Sequence, residues 1–336
     1  MATPQGPEAW SWAGTERAAQ LVAEIERLAA KSPLEVNISG LRMPNPVLTA
    51  SGTYGFGREY APLVPPAALG AICSKCVTLR PRAGNPSPRV TETPAGMLNS
   101  IGLQNPGADG FLREELPWLF DQGARVIVNI AGGTVADYAS LVAKLDSAPG
   151  VVAFEVNVSC PNVEREGMAF GVSPKSTELV VRAVRRETSL PVICKLTPNV
   201  TNVVEIAQAA EEAGADAISL INTLLGMAID VESQRPVLGN TLGGLSGPAI
   251  KPVALRMVWQ VRAVTRLPII GMGGIVTAED ALEFILAGAS AVAVGSACFV
   301  NPLAPLEIIH GIAAYLDRTG LALRDAVGRA QPGKKE

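Results

Sequence analysis

The chain has 336 residues, 48% hydrophobic and 18% charged, with 28 Lys and Arg set against 31 Asp and Glu. A net charge of -3 leaves no basic footprint for nucleic acid, and no apolar run approaches the length of a membrane span. The single histidine, His310, excludes zinc or iron sites built on imidazole and makes a serine–histidine triad untenable, so any base must be Cys, Lys, Asp, Glu or Tyr.

Residues 1–33 read as an extension in which Thr15 to Lys31 has helical spacing, with Leu21, Val22, Ile25 and Leu28 on one face. Its charges nearly cancel, so it is expected to dock on protein rather than on anionic lipid. The start, Met1-Ala-Thr-Pro-Gln-Gly-Pro, has neither the basic end nor the apolar centre of a secretory signal. Five cysteines at irregular spacing do not make a disulfide framework, and a reducing cytoplasm is the expected home.

From residue 34 to 330 the pattern is that of one barrel domain, leaving 331–336 as a tail. A short hairpin turning at Gly40 comes first. Strands are then expected at 47–50, 71–77, 124–130, 151–158, 191–196, 215–221, 268–272 and 291–294, each a continuous apolar run. Helical spacing fills the intervals at 107–120, 135–145, 176–186, 203–213, 251–264, 278–287 and 303–316. Eight strands alternating with helices predict an α/β fold, a (β/α)8 TIM barrel. The alternative, a doubly wound sheet, lacks a G-x-G-x-x-G after an early strand.

In such a barrel chemistry gathers at the C-terminal strand ends. Those ends carry Ser51, Lys75 with Cys76, Asn129, Asn157 with Cys160, Lys195, Asn222 with Thr223, Gly273 with Gly274, and Gly295 with Ser296; Asn99 comes from the long loop after the second strand. Cys160 stands where a buried strand breaks into a polar loop. It is either a structural thiol or an acid, base or nucleophile. Lys195 lies in a strand that should be buried, where an ammonium needs a reason. It forms a Schiff base, stabilises negative charge, or reaches solvent past the strand end; Lys75 poses the same question. The glycines near the last two strand ends, together with Gly247, suit a phosphate cradle or tight turns. Cys73 and Cys76, at i and i+3 on one strand, should point to opposite faces, and no second pair accompanies them.

Six ordered motifs carry a resemblance: Ser74-Lys75-Cys76-Val-Thr78, Asn99-Ser-Ile-Gly-Leu-Gln-Asn105, Asn157-Val-Ser-Cys160-Pro-Asn162, Lys195-Leu-Thr-Pro198, Asn222-Thr223 and Gly271-Met-Gly-Gly-Ile275. Over residues 35–325 the chain resembles the dihydroorotate dehydrogenases. Cys rather than Ser after Asn-Val-Ser is similar to the soluble class 1 enzymes. The stretches 163–171 and 222–230 resemble subclass 1B, the NAD-linked catalytic subunit. The Pro-Gly-Lys-Pro-Gln-like stretch of the fumarate-linked subclass 1A is absent. The extension of about thirty residues and Cys76 in place of a common Thr depart from the pattern.

The resemblance implies FMN across the barrel mouth, its phosphate on Gly247, Gly273, Gly274, Gly295 and Ser296. Ser51, Lys75, Cys76, Asn129, Asn157, Lys195 and Ile221 would surround its ring and ribityl chain. Dihydroorotate would be held by Lys75, Asn99, Ser100, Ile101, Gly102, Leu103, Asn157, Asn222 and Thr223. Cys160 would take the C5 proton as hydride leaves C6, and Lys195 would stabilise charge on the reduced flavin. No metal site is implied on this chain. An iron–sulfur electron-transfer subunit carrying FAD and a [2Fe-2S] cluster is the implied partner, two of each chain forming a heterotetramer. The competing readings are a subclass 1A enzyme, a dihydropyrimidine dehydrogenase-like subunit, and a Schiff-base aldolase through Lys195.

Overall fold

The computed structural model describes residues 7–159 and 170–333. Eight parallel strands close on one another in chain order: β1 (Val47–Thr49), β2 (Ala71–Cys73), β3 (Val126–Ile130), β4 (Val151–Asn157), β5 (Val192–Leu196), β6 (Ala217–Leu220), β7 (Ile269–Met272) and β8 (Ala291–Val294). Val294 of β8 stands beside Thr49 of β1, so the sheet has no edge. The fold is the expected (β/α)8 barrel, not an open sheet.

The strands read as unbroken apolar runs because both of their faces are covered. Leu48, Ile127, Ala153, Ile193, Ile270 and Ala291 point into the lumen and form one cluster. Their neighbours Val47, Val126, Phe154, Val192, Ile269 and Val292 join the larger core under the helices, as a two-residue side-chain period dictates. The hairpin Val36–Ile38 and Leu41–Met43 turns through Ser39 and Gly40, both at positive φ, as a primed two-residue turn requires. Ile38, Leu41 and Met43 enter the lumen cluster, and Ser39 Oγ donates to the Asp216 carbonyl just before β6. The hairpin thus closes the N-terminal end and leaves the opposite end for chemistry.

The N-terminal helix, Pro7–Ala29, begins earlier than the spacing predicted, with Pro7 in the first turn, where a missing N–H costs nothing. It packs on the helix Ala304–Thr319. Leu21 and Leu28 are buried in the outer core, and Glu24 Oε2 lies 3.0 Å from His310 Nε2. The expected helix at 107–120 contains a π-helical turn, Phe111–Glu115, just before Leu116–Asp121, which carries the N–H-less Pro117 in its first turn.

Two expectations fail near the mouth. The strand predicted over 71–77 is regular only to Cys73. Ser74 N donates to Ile127 O and Val77 N to Asn129 O, so three steps on this side match two on β3. The extra residue makes a bulge that throws Lys75 and Cys76 outward from the ladder. Alternation is reset there. Cys73 bonds Glu155 inside the barrel and Cys76 borders the cavity above it, so the two do not take opposite faces. Asn99 is also not in a plain loop. It ends the strand Gly96–Asn99 of an antiparallel sheet whose order is Leu224–Gly226, Gly243–Ser246, Gly96–Asn99, Val90–Thr93. That sheet ties the connection after β2 to the connection after β6.

Candidate active site

A cavity of about 480 Å³ opens at the C-terminal strand ends. Every site residue expected from the sequence lines it except Asn129 and Cys160. Cys160 lies outside the described residues. Asn129 is fully buried and sits beneath the cavity, where it serves another side chain.

That side chain is Glu155, which the sequence reading passed over. It is 2% exposed, on β4, and Lys195 on β5 is 5% exposed. Their charged atoms, Glu155 Oε1 and Lys195 Nζ, are 3.5 Å apart. Asn129 Nδ2 donates to Glu155 Oε1 at 2.6 Å, the Cys73 thiol to the same oxygen at 3.2 Å, and Ser219 Oγ to Oε2 at 2.8 Å. Five consecutive strands, β2 to β6, therefore meet on one carboxylate. Burial works against its ionisation, but the Lys195 charge and the three donors outweigh it and hold the carboxyl below its ordinary range. Burial, and then the Glu155 charge, push the Cys73 thiol well up, so Cys73 acts as a neutral donor. Held against a buried carboxylate, the Lys195 side chain is engaged in an ion pair, which does not suit the free amine a Schiff base needs. An acid at the centre of the apolar strand 151–158 was the available signal. It calls for the same explanation as Lys195.

The loop 99–105 forms one wall. Gly102 and Leu103 have positive φ, and a Cβ on Gly102 would meet Asn85 at 2.6 Å. Asn105 fixes the loop from behind: its Oδ1 accepts from Thr78 N and Gly107 N, and its Nδ2 donates to Thr78 Oγ1 and the Leu103 carbonyl. Across the cavity Asn222 Nδ2 lies 3.4 Å from Asn157 Oδ1 and Thr223 N donates to Asn222 Oδ1. Tyr138 Oη holds the Asn157 carbonyl at 2.8 Å. Val90, Met97, Ile250, Met272 and Phe299 add apolar wall that the motifs did not indicate.

The glycine loops complete the rim. Gly247, Gly273 and Gly274 all have left-handed φ. An added Cβ would meet Gly96 Cα at 2.5 Å, Ala254 Cβ at 2.9 Å and Lys251 N at 2.8 Å respectively. Gly295 differs: its φ is ordinary, an added Cβ would meet nothing among the described residues closer than 3.5 Å, and it lines the cavity. Below, Lys251 Nζ reaches Asp280 at 2.6 Å, and Asp280 closes a capping box with Thr277 at the start of the helix Ala278–Ala287. Burial opposes ionisation of Asp280, yet Lys251 and the Val276 and Thr277 N–H groups keep its carboxyl low.

These residues fit FMN. Lys75 and Lys195 supply cations at the cavity, the glycine loops offer close backbone approach, and Ser100 Oγ and Asn129 Oδ1 are buried polar atoms that find no hydrogen-bond partner among the described residues. Among the described residues no group of three His, Cys, Asp or Glu is placed to hold a metal, and no helix is long and apolar enough to cross a membrane.

A closed barrel with amides, hydroxyls, two lysines and glycine loops around a cavity at its C-terminal mouth defines a (β/α)8 protein with its polar site where this fold carries chemistry. The chain belongs to the dihydroorotate dehydrogenase family, whose sequence model matches residues 33–316. It is 59% identical over 296 residues to the "Dihydroorotate dehydrogenase B (NAD(+)), catalytic subunit" of Desulforudis audaxviator, covering 88% of this chain and 96% of that protein. Proteins of the same description from Desulforamulus reducens and Geotalea uraniireducens are 58% and 54% identical. Each match covers 89% of this chain, and 99% and 98% of the relative respectively.

Proposed function

We propose that this chain is the catalytic subunit of an NAD-linked dihydroorotate dehydrogenase, oxidising (S)-dihydroorotate to orotate in pyrimidine biosynthesis. The observation that carries this reading is the meeting, in one cavity, of Lys75, Asn99, Asn157, Asn222 and Thr223 with the glycine loops of β7 and β8. FMN fits between them: Gly247, Gly273, Gly274, Gly295 and Ser296 hold its phosphate, and Ser51, Lys75, Cys76, Asn129, Asn157, Lys195 and Ile221 serve the ring and ribityl chain. Bound there, FMN supplies a two-electron acceptor for hydride from C6.

The protein's own part is to orient and deprotonate. Lys75 is the cation for the substrate carboxylate. The amides of Asn99, Asn157 and Asn222, with Thr223 and the backbone of 100–103, match the donors and acceptors of a planar pyrimidine. Cys160 takes the C5 proton, so loss of that proton and of the C6 hydride leaves a C5–C6 double bond. Met97, Ile250 and Phe299 give the cavity apolar wall beside these polar groups.

Relatives bearing the words "catalytic subunit" support a partner for this chain. We assign that partner FAD, a [2Fe-2S] cluster and the NAD site, in a cytoplasmic heterotetramer of two chains of each kind. The test is anaerobic mixing of the purified, flavin-loaded protein with dihydroorotate. Wild type should bleach its flavin absorption, and Cys160→Ala should keep FMN and orotate binding while bleaching about 10²–10⁴-fold more slowly. Near-normal bleaching by the alanine variant at neutral pH would remove Cys160 from the role of base.

A further inference from the structure

Glu155 has no place in the reaction as described above, yet it is the most completely bonded acid in the described molecule. A buried carboxylate is expensive unless it is paired and hydrogen-bonded. Here three neutral donors from β2, β3 and β6 fix its two oxygens, and the cation within reach among the described residues is Lys195, which borders the cavity. The neighbouring strands set this up. Asn129 and Glu155 are register partners on β3 and β4, and Lys195 and Ser219 are register partners on β5 and β6. Across the seam between β4 and β5, Lys195 is the register partner of Asn157, two residues beyond Glu155, so its side chain reaches the carboxylate diagonally from the side of the mouth.

We propose that Glu155 is a positioning residue that keeps the Lys195 side chain a fixed cation under the cofactor, and through it raises the reduction potential of the bound flavin. This rests on the flavin site proposed above. The physical reason is that neither charge survives alone at this depth. Without Glu155, an ammonium 5% exposed has no counter-ion and nothing to hold it beneath the cavity; without Lys195, the carboxylate has no charge to pair with. Either loss removes the fixed positive charge that favours reduced flavin, so the two residues act as a unit.

The test uses four flavin-loaded proteins titrated anaerobically against a reference dye: wild type, Glu155→Gln, Lys195→Met and the double variant. Glutamine keeps the shape of Glu155. Its amide oxygen accepts from Asn129 and its NH2 faces Ser219, whose hydroxyl turns to accept. The three variants should share one potential, lowered from wild type by roughly a tenfold change in the two-electron equilibrium, about 30 mV. A purely structural Glu155 would leave the potential of Glu155→Gln at the wild-type value, and a carboxylate that merely attenuates the lysine would raise it; either result overturns the proposal, as does an additive double variant. Should Glu155→Gln not fold, Ser219→Ala loosens the carboxylate without removing its charge. It should lower the potential in the same sense by less, and an unchanged value there overturns the proposal as well. A purified chain that takes up no FMN strikes the site assignment itself, whereas FMN bound at wild-type potential in Glu155→Gln strikes only this inference.

Discussion

Glu155 and Lys195 occupy strand positions where Val or Ile would give a quieter lumen, and their pairing links stability to pH. The Glu155 carboxyl is held below its ordinary value of 4.5 by Lys195 and three donors. A group whose folded value is depressed contributes stability above the unfolded value and loses it as pH falls through the folded one. Glu155→Gln should therefore cost about 3–5 kcal/mol near neutral pH, where breaking a buried pair leaves a stranded charge. The gap between wild type and variant should narrow as pH drops below 4.5. Urea unfolding of both proteins across that window measures it; a gap independent of pH would mean the carboxylate is not ionised in the fold.

Among the elements, the N-terminal helix has the clearest separable contribution. It lies outside the span matched by the family model, which begins at residue 33, yet Leu21 is fully buried against the outer core. Leu21→Ala should destabilise by about 2–5 kcal/mol, the usual cost of a truncated buried leucine. It should leave the flavin spectrum and the rate of flavin reduction unchanged, because the helix packs on Ala304–Thr319 and none of its described side chains lines the cavity. Thermal melts followed by flavin fluorescence and by circular dichroism separate the two effects. The mouth sheet is the opposite kind of element. Its strands are short and glycine-rich, and it places Asn99 opposite Gly244, where a Cβ would run into the Thr223 side chain.

At the scale of the molecule, the described chain holds one cavity of catalytic character and no cysteine spacing for an iron–sulfur cluster. On the function proposed above, electrons delivered to a flavin in that cavity reach NAD through a second protein. The flavin-loaded chain alone should pass electrons from dihydroorotate to small artificial acceptors while making almost no NADH. Adding the proposed FAD and iron–sulfur subunit should restore NADH formation. Efficient NAD reduction by this chain on its own would end the two-subunit reading, and strong turnover with fumarate would move it toward subclass 1A.

The sequence by itself determined the barrel, its hairpin and the ring of strand-end residues. A strand covered on both faces must be apolar throughout, and polar residues at the ends of such runs have only the mouth to occupy. Motif spacing likewise pointed to Lys75, Asn99 and Asn222 before any fold was in hand. Three things were decided only in the folded chain. The bulge after Cys73 depends on how β2 meets β3, so local alternation misassigned Cys73 and Cys76. The mouth sheet pairs residues as far apart as Asn99 and Gly244, 145 positions along the chain, and short glycine-rich strands carry too little apolar pattern to announce such a pairing. Glu155 was visible as an acid in an apolar strand, but its partners come from four other strands. Only closure of the barrel brings Cys73, Asn129, Lys195 and Ser219 onto one carboxylate, and with them the charge beneath the site.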